Sequence, residues 1–172
     1  ISDGLFSDFF VVTAVTDPAA GARGISTFIV EKGMTGFTIG RDQPMMGLRG
    51  TSHVEMQFKD VVLSNDYLLG HEGQGLKLAL ATLGRVRLAQ VVARSIGKAT
   101  LVMDQCLDYA RERRQFGAPI GDFQMVQQML ADSAMEINAT RLALWHTASR
   151  LDVGEEVRGS ISMMKVQAAE MM

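Results

Sequence analysis

The hydrophobic pattern changes period near Gly70, and that change limits the possible folds more than any other feature of the sequence. Before it, apolar residues come in short β-branched and aromatic runs. Phe9-Phe10-Val11-Val12-Thr13-Ala14-Val15 reads as a buried strand, a loop follows at Asp17–Gly21, and Ser26–Val30 returns as a second strand. Gly33 and Gly36 punctuate the chain ahead of a third short run, Phe37-Thr38-Ile39. Residues 54–58 alternate, with Val54, Met56 and Phe58 on one face and Glu55 and Gln57 on the other, the pattern of a half-buried antiparallel strand. No helix-length segment separates these runs, which disfavours parallel βαβ units.

After Gly75 the period becomes helical. Leu76, Leu80, Leu83, Val91, Ser95, Val102, Cys106 and Ala110 form one expected stripe, with Gly84 and Gly97 as places for a kink. Gly117 and Pro119 end that helix. A second opens with Asp122 as the expected N-cap, carries Val126, Leu130, Ile137, Leu144, Trp145 and Ala148, and closes at Gly154 as the C′ residue. A third begins near Glu155–Ser160. The expected class is α+β: an antiparallel β-piece (a partial barrel or sandwich) over 1–70, then an antiparallel helical bundle over 71–172.

Composition narrows the function classes. With 172 residues, 47% hydrophobic and 21% charged, and a net charge of −2, the chain can bury a core without a metal or disulfide and carries no basic excess for nucleic acid. Cys106 stands alone, so no disulfide framework exists and a reducing compartment is expected. No apolar run is long enough to span a membrane. His53, His71 and His146 are scattered and lack zinc-helix spacing, so no metal is expected. Gly70-His71-Glu72-Gly73-Gln74-Gly75 lacks the Lys-Ser/Thr of a phosphate loop and reads as a turn into a helix. Cys106 reads as a packed thiol, and the helical methionines Met103, Met129, Met135, Met163 and Met164 as bundle or interface filling. The chain opens on Ile1 and ends within a helical pattern, so it reads as a piece of a longer protein.

The densest polar group is Arg111-Glu112-Arg113-Arg114-Gln115-Phe116-Gly117, followed by Asp122-Phe123-Gln124. Cations suit a helix C-terminus, which explains the arginines as surface charge. An aromatic among guanidinium and amide groups equally suits an anionic ligand with a flat ring, because Arg grips phosphate oxygens and Gln offers both a donor and an acceptor. Residues 113–124 resemble the R-x-Q-F-G-x-x-I-x-x-F-Q signature of acyl-CoA dehydrogenases. Four further segments are similar to family motifs in order and spacing: Phe28–Phe37, Met46–Ser52, Phe58–Leu63 and Leu69–Gly75.

The resemblance implies a central β-domain joined to the first part of a C-terminal four-helix bundle, with an N-terminal helical domain and the rest of the bundle outside this chain. It implies FAD as cofactor, with Arg113 (on the pyrophosphate) and Gln124 both reaching the FAD of a neighbouring subunit, and Gln115 and Phe116 in the same contact region. Ser2 matches the hydroxyl residue that bonds the flavin near N5 and O4. Arg87 fits an arginine that faces acyl-CoA, with a carboxylate partner as its alternative role. The reaction implied is α,β-dehydrogenation of an acyl-CoA thioester, as in fatty-acid or branched-chain acyl degradation, by a dimer or tetramer that passes electrons to an electron-transfer flavoprotein or another acceptor. A bacterial cytoplasm or mitochondrial matrix is the implied location. The proton-abstracting glutamate is expected past Met172, since Val86 occupies the alternative position and cannot take a proton; residues 1–172 alone are expected to be inactive. A same-fold oxidase and a non-catalytic assembly module are the alternatives.

Overall fold

A computed structural model describes residues 1–172, which form two compact units, Ile1–Leu80 and Ala81–Met172. In the first, strand β1 (Phe9–Val15) pairs antiparallel with β2 (Ile25–Glu31) from Phe9↔Glu31 to Val15↔Ile25. Strand β3 (Phe37–Asp42) pairs antiparallel with β4 (Val54–Phe58), with a register shift between Ile39 and Asp42. The strands fall where the β-branched and aromatic runs predict, and the pairing is antiparallel throughout.

The core of this unit is small. Phe10, Val30 and Phe37 are buried, and Phe37 stands between two rings: Phe10 edge-on at 5.1 Å and Phe58 stacked at 4.9 Å. β1 is not the buried strand its composition suggests. Phe9, Val11 and Val15 are exposed and Phe10 alone is buried, because a two-stranded ladder has a second face with nothing packed on it. In β4, Val54 is buried as expected, but Phe58 is exposed by 44% despite its stacking.

Glycines set the turns. Gly36 takes φ +85°, and a Cβ there would collide with the Lys59 carbonyl oxygen. In the segment before the long helix, the Gly73 N–H donates to Ser26 Oγ at 2.9 Å, and a Cβ on Gly75 would lie 2.6 Å from Thr27 Oγ1. That stretch is a turn sealed onto β2 by backbone contact.

Helix α1 (Gly75–Arg87) continues through a π-helical turn (Leu88–Ala93) into α2 (Arg94–Glu112). The irregularity therefore sits at neither Gly84 nor Gly97. A π turn closes its hydrogen bonds over one more residue than α-geometry does, so helical phase is not continuous across it. Leu88, Val92, Ile96 and Ala110 are buried, whereas Leu80, Leu83 and Val102 of the expected stripe are exposed. Cys106 is exposed too, not packed.

Helix α3 (Gln124–Asp152) begins after Phe123, not after Asp122, which lies in a 3₁₀ turn over Ile120–Asp122 that precedes it. Gly154 takes φ +81° one residue past the Val153 cap, the C′ role expected of it. Helix α4 (Arg158–Met171) follows. Leu88, Val92 and Ile96 pack with Ile137 of α3, with Val157, and with Ile161, Met164 and Ala168 of α4. Two buried hydroxyls are satisfied inside this core. Thr140 donates to the Glu136 carbonyl at 2.8 Å, and Thr147 lies 3.1 Å from Met164 Sδ. Trp145, expected on the apolar stripe, is 61% exposed, and of the named methionines Met164 is buried while Met129, Met135 and Met163 face outward.

Candidate functional site

The arginine-rich end of α2 folds into a miniature hairpin. Helix α2 stops at Glu112, and Arg113 leaves it in extended conformation (φ −69°, ψ 122°). Strands β5 (Arg114–Gln115) and β6 (Ala118–Pro119) pair antiparallel, leaving Phe116 and Gly117 as a two-residue turn. Both turn residues have positive φ, 51° and 86°, as a tight hairpin loop matched to strand twist requires. Gly117 takes that conformation without cost; Phe116 does not. The turn is held by Arg114 Nη2, which donates to the Gly117 carbonyl at 3.1 Å; the Phe116 ring stands edge-on to Phe123 with centroids 6.3 Å apart.

Hydrogen bonds tie the hairpin to the start of the next helix. The Ile120 N–H donates to the Arg113 carbonyl at 2.8 Å, and Gln127 Nε2 donates to the Gly121 carbonyl at 2.9 Å. Gly121 lies against the end of α2, where a Cβ would come within 3.1 Å of the Ala110 carbonyl oxygen. The start of α3 is thereby anchored beside the hairpin, and Gln124 is its first residue.

The side chains that the resemblance singles out are left free. Phe116 is 95% exposed. Arg113, Gln115 and Gln124 are exposed, and their side chains make no ion pair or hydrogen bond, whereas the neighbouring Arg111 pairs with Asp108 at 3.3 Å and Arg114 is engaged within the turn. The hairpin therefore gathers Arg113, Gln115, Phe116 and Gln124 into one locally braced segment, with a cation, two amides and an aromatic face turned to solvent. That donor set fits an anionic ligand with a flat heterocycle: a guanidinium for diphosphate oxygens and amides for ring edges.

Arg87 ends α1, exposed and without a carboxylate partner, so the salt bridge considered for it is not formed. Val86 beside it is 37% exposed and offers no proton acceptor. Ser2 lies in the strand-rich unit, where it forms an isolated antiparallel bridge with His53. Its Oγ is 2.9 Å from His53 Nε2. The contact of His53 with Ser2 is not legible in the sequence, because no local motif links positions so far apart in the chain.

Comparison with known proteins gives the same reading. The acyl-CoA dehydrogenase middle domain matches residues 1–61, and the acyl-CoA dehydrogenase C-terminal domain matches residues 73–172. Probable acyl-CoA dehydrogenase FadE25 of Mycobacterium tuberculosis is 41% identical over 162 residues, which cover 94% of this chain and 41% of that protein. The structure of butyryl-CoA dehydrogenase from Megasphaera elsdenii superimposes with a TM-score of 0.92 at 33% identity, over 99% of this chain and 44% of that one. The structure of PigA with FAD and proline gives 0.94 at 28% identity, again over 99% of this chain and 44% of that one. The chain thus spans less than half the length of these relatives. Two family domains matched in order, a shared fold and the hairpin signature at its expected place lead to one conclusion: the chain belongs to the acyl-CoA dehydrogenase family.

Proposed function

We propose that these residues are part of an FAD-dependent acyl-CoA dehydrogenase that carries out α,β-dehydrogenation of acyl-CoA thioesters. The observation that carries this is the braced hairpin whose Arg113, Gln115 and Gln124 side chains have no protein partner. On this reading residues 1–70 belong to the β-domain and 71–172 to the helical domain. Arg113 neutralises the cofactor diphosphate, a charge costly to leave unpaired away from water. Gln115 and Gln124 hydrogen-bond its polar edges, and Phe116 covers an apolar face. The hairpin serves the cofactor of a neighbouring subunit, which makes a dimer or tetramer the working form. Ser2 donates its hydroxyl hydrogen to the polar edge of the flavin ring. Arg87 attracts the anionic substrate.

When bound, FAD supplies the acceptor for the hydride that leaves the substrate β-carbon. The α-proton needs a carboxylate; Val86 stands where some family members carry theirs and cannot take a proton, and the family resemblance puts the base outside residues 1–172. The partner proposed is an electron-transfer flavoprotein or another electron acceptor. No helix is long and apolar enough to cross a membrane. The single free cysteine suits a reducing location, the bacterial cytoplasm or mitochondrial matrix.

The test is anaerobic addition of acyl-CoAs to the flavin-loaded parent chain. Bleaching of the visible flavin band by at least one thioester is expected; a flavin that no acyl-CoA reduces contradicts the proposal. Residues 1–172 alone should not reduce dichloroindophenol with any acyl-CoA, and turnover by them would overturn the placement of the base.

A further inference from the structure

Ser2 and His53 are fixed opposite one another by backbone bonds on both sides of their contact. The Asp3 N–H donates to the Ser52 carbonyl at 2.7 Å and the Val54 N–H to the Ile1 carbonyl at 2.9 Å. On its other edge, the His53 N–H donates to Asp42 Oδ1 at 2.7 Å, and its carbonyl accepts the Gln43 N–H at 2.6 Å. The imidazole Nε2 lies 2.9 Å from the Ser2 hydroxyl, while the second ring nitrogen, Nδ1, is buried with no hydrogen-bond partner. Ser2 itself is exposed.

This asymmetry selects a tautomer. A neutral imidazole carries hydrogen on one nitrogen and a lone pair on the other. Placing the hydrogen on Nδ1 would bury an N–H donor with nothing to accept it, the arrangement folded proteins most consistently avoid. The hydrogen therefore sits on Nε2, and the ring donates to Ser2 Oγ. With that oxygen engaged as an acceptor, the serine hydrogen is directed away from the ring.

We propose that His53 is a positioning residue: by donating to Ser2 Oγ it holds the Ser2 O–H as a donor aimed outward, at an acceptor on the flavin ring edge. This rests on the reading of Ser2 as a flavin contact given above. Without the ring, the hydroxyl rotates freely and donates to water or a backbone carbonyl instead.

The two ideas separate in a double-mutant cycle on FAD affinity, measured by titrating the full apo-chain with FAD and following flavin fluorescence. Ser2→Ala is expected to weaken FAD about fivefold, the range for loss of one hydrogen bond. His53→Phe keeps the ring volume but removes the donor and should cost a similar factor. The double variant should lose no more than either single one. His53→Gln, whose amide nitrogen can replace Nε2–H, should return affinity to within about twofold. His53→Leu repeats the donor deletion should His53→Phe fail to fold. If Ser2→Ala weakens binding but the donor-less His53 variants do not, or if the losses multiply in the double variant, His53 does not position Ser2 and the flavin contact stands. If Ser2→Ala itself leaves affinity unchanged, the Ser2 assignment falls and the positioning role with it.

Discussion

The strand-rich and helical units hold together by different means. In Ile1–Leu80 only Phe10, Val30 and Phe37 form a buried apolar cluster, and shape comes from backbone fitted against backbone at Gly36, Gly73 and Gly75. In Ala81–Met172 the buried cluster draws on the π turn, on α2, α3 and α4, and on Val157, and Gly97 and Gly159 have nothing within 4 Å of where a Cβ would stand. Glycine is thus a structural requirement where strands and turns meet at Gly36, Gly73 and Gly75, and a dispensable weakness inside the helices at Gly97 and Gly159. Where side chains cannot fill an interior, close approach of main chain replaces them, and even one added methyl group is too large.

This contrast can be broken by substitution. The largest effect is expected from Gly36→Ala, which forces a Cβ onto the Lys59 carbonyl at φ +85° and should cost about 3 kcal/mol or more in urea unfolding of the full chain. A loss below about 1 kcal/mol would mean the turn yields easily. Next comes Ile161→Ala in the helical core, expected to cost about 2–4 kcal/mol by creating a cavity among Leu88, Val92 and Met164. Gly97→Ala should act with the opposite sign to Gly36→Ala, stabilising the exposed interior of α2 by about 0.5–1 kcal/mol. A destabilised Gly97→Ala would erase the distinction between the units. The smallest change is Trp145→Gln, expected within about 0.5 kcal/mol of the native chain because the indole is exposed; a loss above about 2 kcal/mol would show that this face is covered in the working protein.

The two units also differ in how much of them could be read in advance. Strands β1 to β4 were legible because alternation and turn glycines are local signals that need no knowledge of the partner. Even so, how deeply β1 is buried was not, since that depends on whether anything covers its second face. The long helix was legible as a helix but not in its phase. A π turn at Leu88–Ala93 leaves no mark in composition, and across it burial falls on Val92 and Ile96 in place of Val91 and Ser95. The start of α3 slipped because Asp122 looks like an N-cap but is used within a 3₁₀ turn. Among the candidate site residues, Arg113 to Gln124 stand out as a contiguous motif. The pairing of Ser2 with His53 was invisible because it arises only when β4 brings its leading edge to the first residues of the chain.

The decisive measurement concerns the hairpin. In the full-length protein, Arg113→Ala combined with Gln124→Ala removes the free guanidinium and one of the two free amides without touching the bonds that brace the turn. FAD affinity, followed by fluorescence on titration of the apo-protein, should fall by roughly 10- to 100-fold, the range for losing charge-assisted hydrogen bonds to a diphosphate. A double variant that folds, assembles and binds FAD as tightly as the native protein would contradict the assignment.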